Sequence, residues 1–321
     1  MSHVDRDGFG KTTTTEEVLA GISLEGKIAL VTGASGGLGA ETARALAEKG
    51  AAVTLAVRDL AKGEGVAASI RESTGNGRVE VGRLDLRSPE SVRSFAKGWL
   101  ETHDGLQLLI NNAGIMACPL ERTKEGWEIQ FATNHLGHFL LTVLLAPALR
   151  AGAPARVVNL SSAGHRLGGV DFDDIHFERR SYDKWLAYGQ SKSANVLFTR
   201  ELDRRLQGRG VRSHAVHPGV IMTELARHLT PDDIKSLMDR ASGEGGLEWK
   251  PVEAGAATSV YAATAPELEG RGGLYLEDCR IRRPMESETS TSGYAPHAVD
   301  ADAAAQLWRV SEELVGERFD L

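Results

Sequence analysis

The stretch "AYGQSKSANV" (187–196) sets Tyr188 and Lys192 four residues apart. Four residues is one helical turn, so the two side chains would share a face. A tyrosine with an ordinary pKa of about 10 is a poor base at neutral pH. A lysine ammonium held near it favours the phenolate and lowers that value, which would make the pair a proton donor and acceptor. Chance also puts this pair on many amphipathic helices, so its surroundings must decide.

A second candidate lies far upstream. In "VTGASGGLGAETA", Gly33, Gly37 and Gly39 punctuate a loop that also contains Ser35, Gly36 and Leu38. Glycines at such spacing permit a tight turn, close approach of a pyrophosphate and close helix–sheet packing. The N–H groups of the helix that follows would then face the phosphates. The Gly-Lys-Ser/Thr of a mononucleotide loop is missing.

The elements needed to position these groups are legible as alternating runs. "KIALVTG" (27–33), "AVTLAVR" (52–58), "VEVGRLDL" (79–86), "LQLLINNAG" (106–114), "ARVVNLSS" (155–162) and "VRSHAVHPG" (211–219) read as strands. Between them, 39–50, the segment ending near Arg71, 88–103 and 188–208 read as helices, with Ser88 as an N-cap before Pro89 and Asp59 as the cap of the second. Near-continuous apolar strands separated by helices predict a parallel sheet covered on both faces, a doubly wound α/β fold of the Rossmann type. One domain over 25–321 is expected, with an N-terminal extension (1–24). Two segments, at about 163–186 and 224–250, interrupt the rhythm and are expected to cover the substrate.

Bulk properties exclude several classes. A net charge of −7 over 321 residues argues against a nucleic-acid binder. Two cysteines, Cys118 and Cys279, support neither a disulfide framework nor a cysteine-rich zinc site and suit a reducing compartment, so a cytoplasmic protein is expected. The N-terminus lacks a signal-peptide core, and the longest apolar run, "FLLTVLLAPAL" (139–149), is too short to span a bilayer, so no membrane anchor is expected. His135 and His138 stand three apart without a carboxylate or thiolate partner, so no metal is expected. Glu178, Arg179 and Arg180 read as a solvated face.

Seven motifs stand in one order: "TGASGGLG" (32–39), "LDL" (84–86), "NNAG" (111–114), "NHLG" (134–137), "VVNLSS" (157–162), "YGQSK" (188–192) and "HPG" (217–219). In this the chain resembles the short-chain dehydrogenase/reductase family from about residue 25 to about 280. "FATNHLGHFLLT" and "GAATSVYAATAPELEGRGGLYLEDC" are most similar to its retinol-dehydrogenase branch and to the oxidoreductase domain of the WW-domain-containing oxidoreductase. The resemblance implies a nicotinamide cofactor that carries the hydride, with Tyr188 moving the proton and Lys192 lowering its pKa and holding the nicotinamide ribose. It selects Ser162, the second serine of "NLSS", as the hydroxyl beside the substrate oxygen, and Asn134 as the holder of a relay water. It places Asp85 and Leu86 by the adenine and Asn112, Ala113 and Gly114 beneath the cofactor, and it extends the contacts to Pro218, Gly219, Ile221 and Thr223.

Where NAD-using members have an acidic residue after the second strand, this chain has Val57 followed by Arg58. A guanidinium suits a 2′-phosphate, so NADP(H) is favoured over NAD(H). The expected activity is oxidoreduction of a mainly hydrophobic small-molecule alcohol or carbonyl, argued from Val220, Ile221, Met222, Leu225, Leu229 and Leu237 after "HPG". A catalytically silent dinucleotide-binding protein is the alternative, and an epimerase or dehydratase suits the single-domain length less well. Ser162 and Tyr188 stand 26 positions apart, a wider gap than is usual in the family. Direction of reaction and assembly into a homo-oligomer stay open.

Overall fold

A computed structural model describes residues 8–235, 249–287 and 290–321. Strands β1 (Ile28–Thr32), β2 (Ala52–Val57), β3 (Val79–Arg83), β4 (Leu108–Asn111), β5 (Ala155–Leu160), β6 (Val211–His217), β7 (Leu274–Glu277) and β8 (Arg280–Ile281) form one sheet in the order β3-β2-β1-β4-β5-β6-β7-β8. All pairings are parallel except β7 with β8. The chain reverses direction across the sheet between β1 and β4, where a doubly wound sheet opens a crevice at its strand ends. The α/β class expected from the alternating runs is the one observed.

Helices cover both faces. Helices α1 (Thr15–Val18), α2 (Gly37–Glu48) and α3 (Leu60–Thr74) lie on one side with a later helix, Val252–Thr264. Helix α4 (Pro89–Leu100) lies on the other, with the short turn α5 (Ile129–Phe131), α6 (Gly137–Leu144) and α7 (Ala146–Ala151), and the long α8 (Lys184–Leu206). Counting on, Val252–Thr264 is α9 and Ala301–Val315 is α10. The caps explain several starts: Ser88 Oγ accepts from Ser91 N–H, and Asp59 Oδ1 from Lys62 N–H, as the sequence indicates. Helix α8 starts at Lys184, ahead of the expected residue 188, because Asp183 caps it by accepting from the Trp185 and Leu186 N–H groups. Tyr188 therefore sits in a well-supported second turn rather than at a fraying end.

Two parts lacking a clear periodic signal are nevertheless packed. In the N-terminal stretch, Phe9 is buried edge-on against Tyr261 at 6.2 Å, and Thr14 and Glu17 form a reciprocal cap on α1. In the 163–186 segment, the Asp174 carboxylate accepts from the N–H groups of Glu178, Arg179 and Arg180. Arg180 departs from the solvated-face reading. Its guanidinium lies 3.9 Å over the Phe177 ring, pairs with Asp171 at 3.1 Å and donates to Gln190 Oε1. The Asp174 hub folds the segment back on itself, which turns an apparent charge run into an internal clamp. Much of the other expected cover, 224–250, lies outside the described residues, including Leu237.

Helix α10 closes the core through Trp308, whose ring meets Phe139 at 5.0 Å and Phe198 at 6.0 Å, with Arg205 stacked 4.2 Å over it. Trp308 is 1% exposed, so its loss leaves a large hole. Trp308→Ala is expected to destabilise the fold by ~3–5 kcal/mol, read as a lower denaturant midpoint in urea unfolding. An unchanged midpoint would show that α10 is docked without contributing to stability.

Candidate active site

The strand ends open into a cleft of about 1900 Å³ at the reversal between β1 and β4. At one end β1 delivers the glycine loop. Gly33 has φ +66°, and a Cβ there would lie 2.8 Å from Ala113; a Cβ on Gly39 would lie 2.5 Å from Asn112 Nδ2. These glycines are required by the contact between the loop and the "NNAG" turn. Gly36 caps α2 without any side-chain bond, the first turn holds no acidic residue, and a Cβ on Gly36 would meet open space. The first N–H groups of α2 and its positive dipole end are thus left to the cleft, which fits a diphosphate. Ser35, Gly37 and Leu38 line the same wall.

The floor is made by β4 leaving the ladder early. Asn112 and Ala113 N–H both donate to Thr32 Oγ1, at 2.9 and 3.0 Å, and Asn112 Nδ2 donates to Thr32 O at 2.8 Å. That is why the strand stops at Asn111 rather than at 114 and turns Asn112–Gly114 toward the cleft. On the far side Asp85 and Leu86 line the wall, and Arg87 grips the Asp85 carboxylate through Nε (3.0 Å) and Nη2 (2.7 Å), holding it below the usual carboxylate range. Val57 is buried, whereas Arg58 is exposed to the cleft and has no hydrogen-bonded or ion-paired partner among the described residues. Lys11 and Lys62 line the cleft with it, which sequence reasoning missed because neither stands in a motif.

The reacting end gathers residues far apart in the chain. Ser162, Tyr188 and Lys192 all line the cleft, and the Ser162 hydroxyl lies where it favours the Tyr188 phenolate. Its neighbour Ser161 turns away, donating to the Lys192 carbonyl at 2.9 Å, which separates the two serines of "NLSS" by structure. Gly164 N–H donates to Ser162 Oγ at 3.0 Å, and a Cβ on Gly164 would collide with the Tyr188 ring at 2.7 Å. Lys192 Nζ donates to Leu160 O at 3.0 Å and stands 5.7 Å from the centre of the Tyr188 ring.

One electrostatic expectation is corrected. Tyr188 is pushed up to about 12, not lowered, because burial penalises the phenolate more than the Ser162 bond favours it. Lys192 is pushed down to about 8, again by burial. Its ammonium donates to the Leu160 carbonyl at 3.0 Å.

Asn134 lies behind the wall, in a π-helical turn (Ala132–Leu136) between α5 and α6. Such turns recur at functional sites. The side chain is already used: Oδ1 accepts from Ile115 N–H at 2.9 Å, and Nδ2 donates to Ile115 O and to Ser191 Oγ. The backbone carbonyl accepts from His138 Nδ1 at 3.0 Å, while Thr32 Oγ1 bonds His138 Nε2 at 2.8 Å. His135 bonds Ser311 Oγ at 2.8 Å. The two histidines of "NHLGH" therefore point in different directions and join different elements.

Pro218, Gly219, Ile221 and Thr223 line the cleft after β6, with Val220 and Leu225; Met222 is 57% exposed. The ends of the 163–186 segment, Ala163–Leu167 and Trp185, reach the same cleft. So do Arg166, His217, Lys250, Glu277, Asp278 and Arg282, none of which the sequence singled out. Only "HPG", read for its proline and glycine, carried a signal, and it was in the histidine.

A phosphate-ready glycine loop joined by one cleft to a buried tyrosine–serine–lysine group belongs to the dinucleotide-dependent oxidoreductases. The sequence matches the short chain dehydrogenase family over residues 27–234, and the chain belongs to that family. It is 45% identical over 299 residues to human retinol dehydrogenase 12, covering 93% of this chain and 89% of that protein. It is 44% identical to human retinol dehydrogenase 13, with 92% and 86% covered. Among solved structures, an uncharacterized protein from Mycobacterium paratuberculosis superposes with a TM-score of 0.75 at 38% identity, over 97% of this chain and all (100%) of that one. The Pseudomonas aeruginosa RhlG/NADP active-site complex gives 0.64 at 27% identity, over 79% and 95%. The protein is accordingly an NAD(P)-dependent short-chain dehydrogenase/reductase acting on CH–OH or C=O groups.

Five buried histidines, His135, His138, His165, His214 and His217, are held neutral, with values of about 3 to 4, chiefly by burial. Unfolding would free each to bind a proton near pH 6.5. Below that pH the unfolded chain binds more protons than the native one, so stability falls as pH drops from 6.5 toward 4. The urea midpoint is expected to fall steeply over this window, each histidine contributing up to ~1.4 kcal/mol per pH unit. A flat midpoint between pH 6.5 and 4.5 would contradict the burial of these imidazoles.

Proposed function

We propose that the protein is an NADP(H)-dependent carbonyl reductase or alcohol dehydrogenase for a mainly hydrophobic ketone, aldehyde or secondary alcohol. The observation that carries this reading is the meeting of Ser162, Tyr188 and Lys192 in the cleft that the glycine loop opens. Bound nicotinamide supplies or accepts the hydride. Tyr188 acts at its phenolic oxygen as proton donor in reduction and acceptor in oxidation, and Ser162 orients the substrate oxygen beside it. Lys192, held by Leu160 O, lies beneath the ring, with Asn134 fixing the loop that ends at Ile115. Gly33–Gly39, Asn112–Gly114 and Pro218–Thr223 would hold the dinucleotide. The RhlG complex with NADP, and an Escherichia coli short chain dehydrogenase complexed with NADPH at 26% identity and a TM-score of 0.63, support a phosphorylated cofactor.

Arg58 supports the same choice, since an unpaired guanidinium suits a 2′-phosphate better than a ribose hydroxyl. Leu167, Trp185, Leu225 and Val220 favour an apolar substrate body. Retention of every reacting group weighs against a silent binding protein. The buried, free Cys118 and Cys279 suit a reducing compartment and support a cytoplasmic location.

Tyr188→Phe is expected to lower kcat by ~10²–10⁴ while the NADPH dissociation constant stays within threefold or so. Turnover at the parental rate would remove Tyr188 from the mechanism. Arg58→Asp is expected to shift the ratio of kcat/KM from NADPH toward NADH by at least about tenfold; a constant ratio would assign the 2′-position to other groups, such as Lys11 or Lys62.

A further inference from the structure

At the C-terminal end of β6, His217 is 7% exposed and forms part of the cleft wall. Its Nδ1 accepts from Ala163 N–H at 3.3 Å and from Gly219 N–H at 3.4 Å. An imidazole whose Nδ1 accepts two backbone donors carries its hydrogen on Nε2. That Nε2–H has no protein acceptor among the described residues. Ala163, which anchors the ring, is the residue after Ser162, so His217 stands beside the reacting group rather than at the phosphate end.

The groups facing His217 make its surroundings rich in donors. Glu277 is paired with β6 directly at His217. Its Oε2 accepts from Gly293 N–H and lies 3.7 Å from Arg166 and 3.9 Å from Arg282. Asp278 is taken by Lys250 at 2.6 Å and by Arg282 at 2.8 Å. Both carboxylates are thus engaged. Arg166 sends Nη hydrogens to the carbonyls of Thr291 and Gly293, yet the Nε of Arg166 and of Arg282 are buried without a hydrogen-bond partner. His165, the remaining titratable neighbour, is held by Ser162 O and Ala295 N–H. The Nε–H groups of Arg166 and Arg282 and the Nε2–H of His217 are thus donors without a hydrogen-bonded acceptor among the described residues, and a buried donor without an acceptor is costly.

We propose that His217 Nε2–H is a substrate-binding donor, and that the ends of β5, β6 and β7 form a subsite for a second oxygen acceptor on the substrate, separate from the carbonyl that reacts. This rests on the carbonyl-reductase reading above and adds a substrate class: ketones bearing a further carbonyl or a carboxylate near the reacting centre, on an apolar body. A ligand presenting an amine to this corner meets three cations, Arg166, Lys250 and Arg282.

Three probes that share a benzoyl group test this: propiophenone, its α-dione and phenylglyoxylate, reduced by the full chain with NADPH. The wild type is expected to favour the dione or the glyoxylate over propiophenone in kcat/KM by roughly tenfold, the size of one good hydrogen bond. His217→Asn keeps an oxygen to accept from Ala163 and Gly219 but removes the cleft donor, and is expected to erase that preference. His217→Gln, whose longer amide carries an N–H into the cleft, is expected to restore part of it and serves if the shorter variant does not fold. Whether the dione or the glyoxylate gains more tells a neutral acceptor from a charged one. The proposal is overturned if the wild type shows no preference, if His217→Asn leaves it unchanged, or if the variant instead weakens NADPH binding while the preference survives. Should the wild type reduce none of the three, the carbonyl-reductase reading fails by itself. Quenching of the cleft tryptophans Trp185 and Trp249 by the dione and the glyoxylate then decides on His217: weaker quenching in His217→Asn supports the subsite, and equal quenching overturns it.

Discussion

The site depends on one buried hydroxyl. Thr32, the last residue of β1, receives two N–H groups from the turn after β4 and gives its own hydrogen to His138 Nε2. His138 in turn donates to the Asn134 carbonyl. A single side chain therefore ties together the end of β1, the floor after β4 and the π-helical turn, with Thr32, Asn134 and His138 all buried. Inside a low-dielectric interior each of these bonds is strong, and each partner would be expensive to leave unpaired. The glycine loop begins at the next residue, so its position relative to Asn134 is set here.

The opposite wall is organised by a different principle. Segment 163–186 widens the gap between Ser162 and Tyr188, yet it reaches the cleft only at its two ends. Its middle is closed by Asp174 and anchored outward: Gln190 Nε2 donates to Ile175 O, and Tyr182 OH donates to Cys118 O beside the buried Glu128. The insertion thereby braces the loop after β4 against α8. What faces the cleft is the short turn 163–167, and Arg166 fastens that turn to the stretch of chain at 290–293. The cleft wall here is backbone held between two anchors.

Much of this was legible in the chain itself. Period and caps located six strands and the helices between them, and the motif order gathered residues from 33 to 223 around one cleft. The parts that stayed hidden share a physical reason. Helix α9 is buried nearly all round, so it does not announce itself by a polar–apolar stripe. Strand ends were read too long at Gly114 and Leu86 because an apolar run does not reveal where a side-chain hydroxyl captures the backbone. The charged corner of Arg166, Lys250, Glu277, Asp278 and Arg282 is assembled across more than a hundred positions of sequence, with no spacing rule to mark it.

The same burial that hides these groups sets the resting protonation of the centre. A tyrosine at about 12 keeps its proton throughout the physiological range, and a lysine at about 8 is still mostly charged at neutral pH. The cluster thus rests with its proton on the phenol. Reduction of a carbonyl can use that state directly. Oxidation of an alcohol must first empty the phenol, and the buried Tyr188 meets only Ser162 as an internal stabiliser of its anion. Burial therefore holds Tyr188 as the neutral phenol across the physiological range.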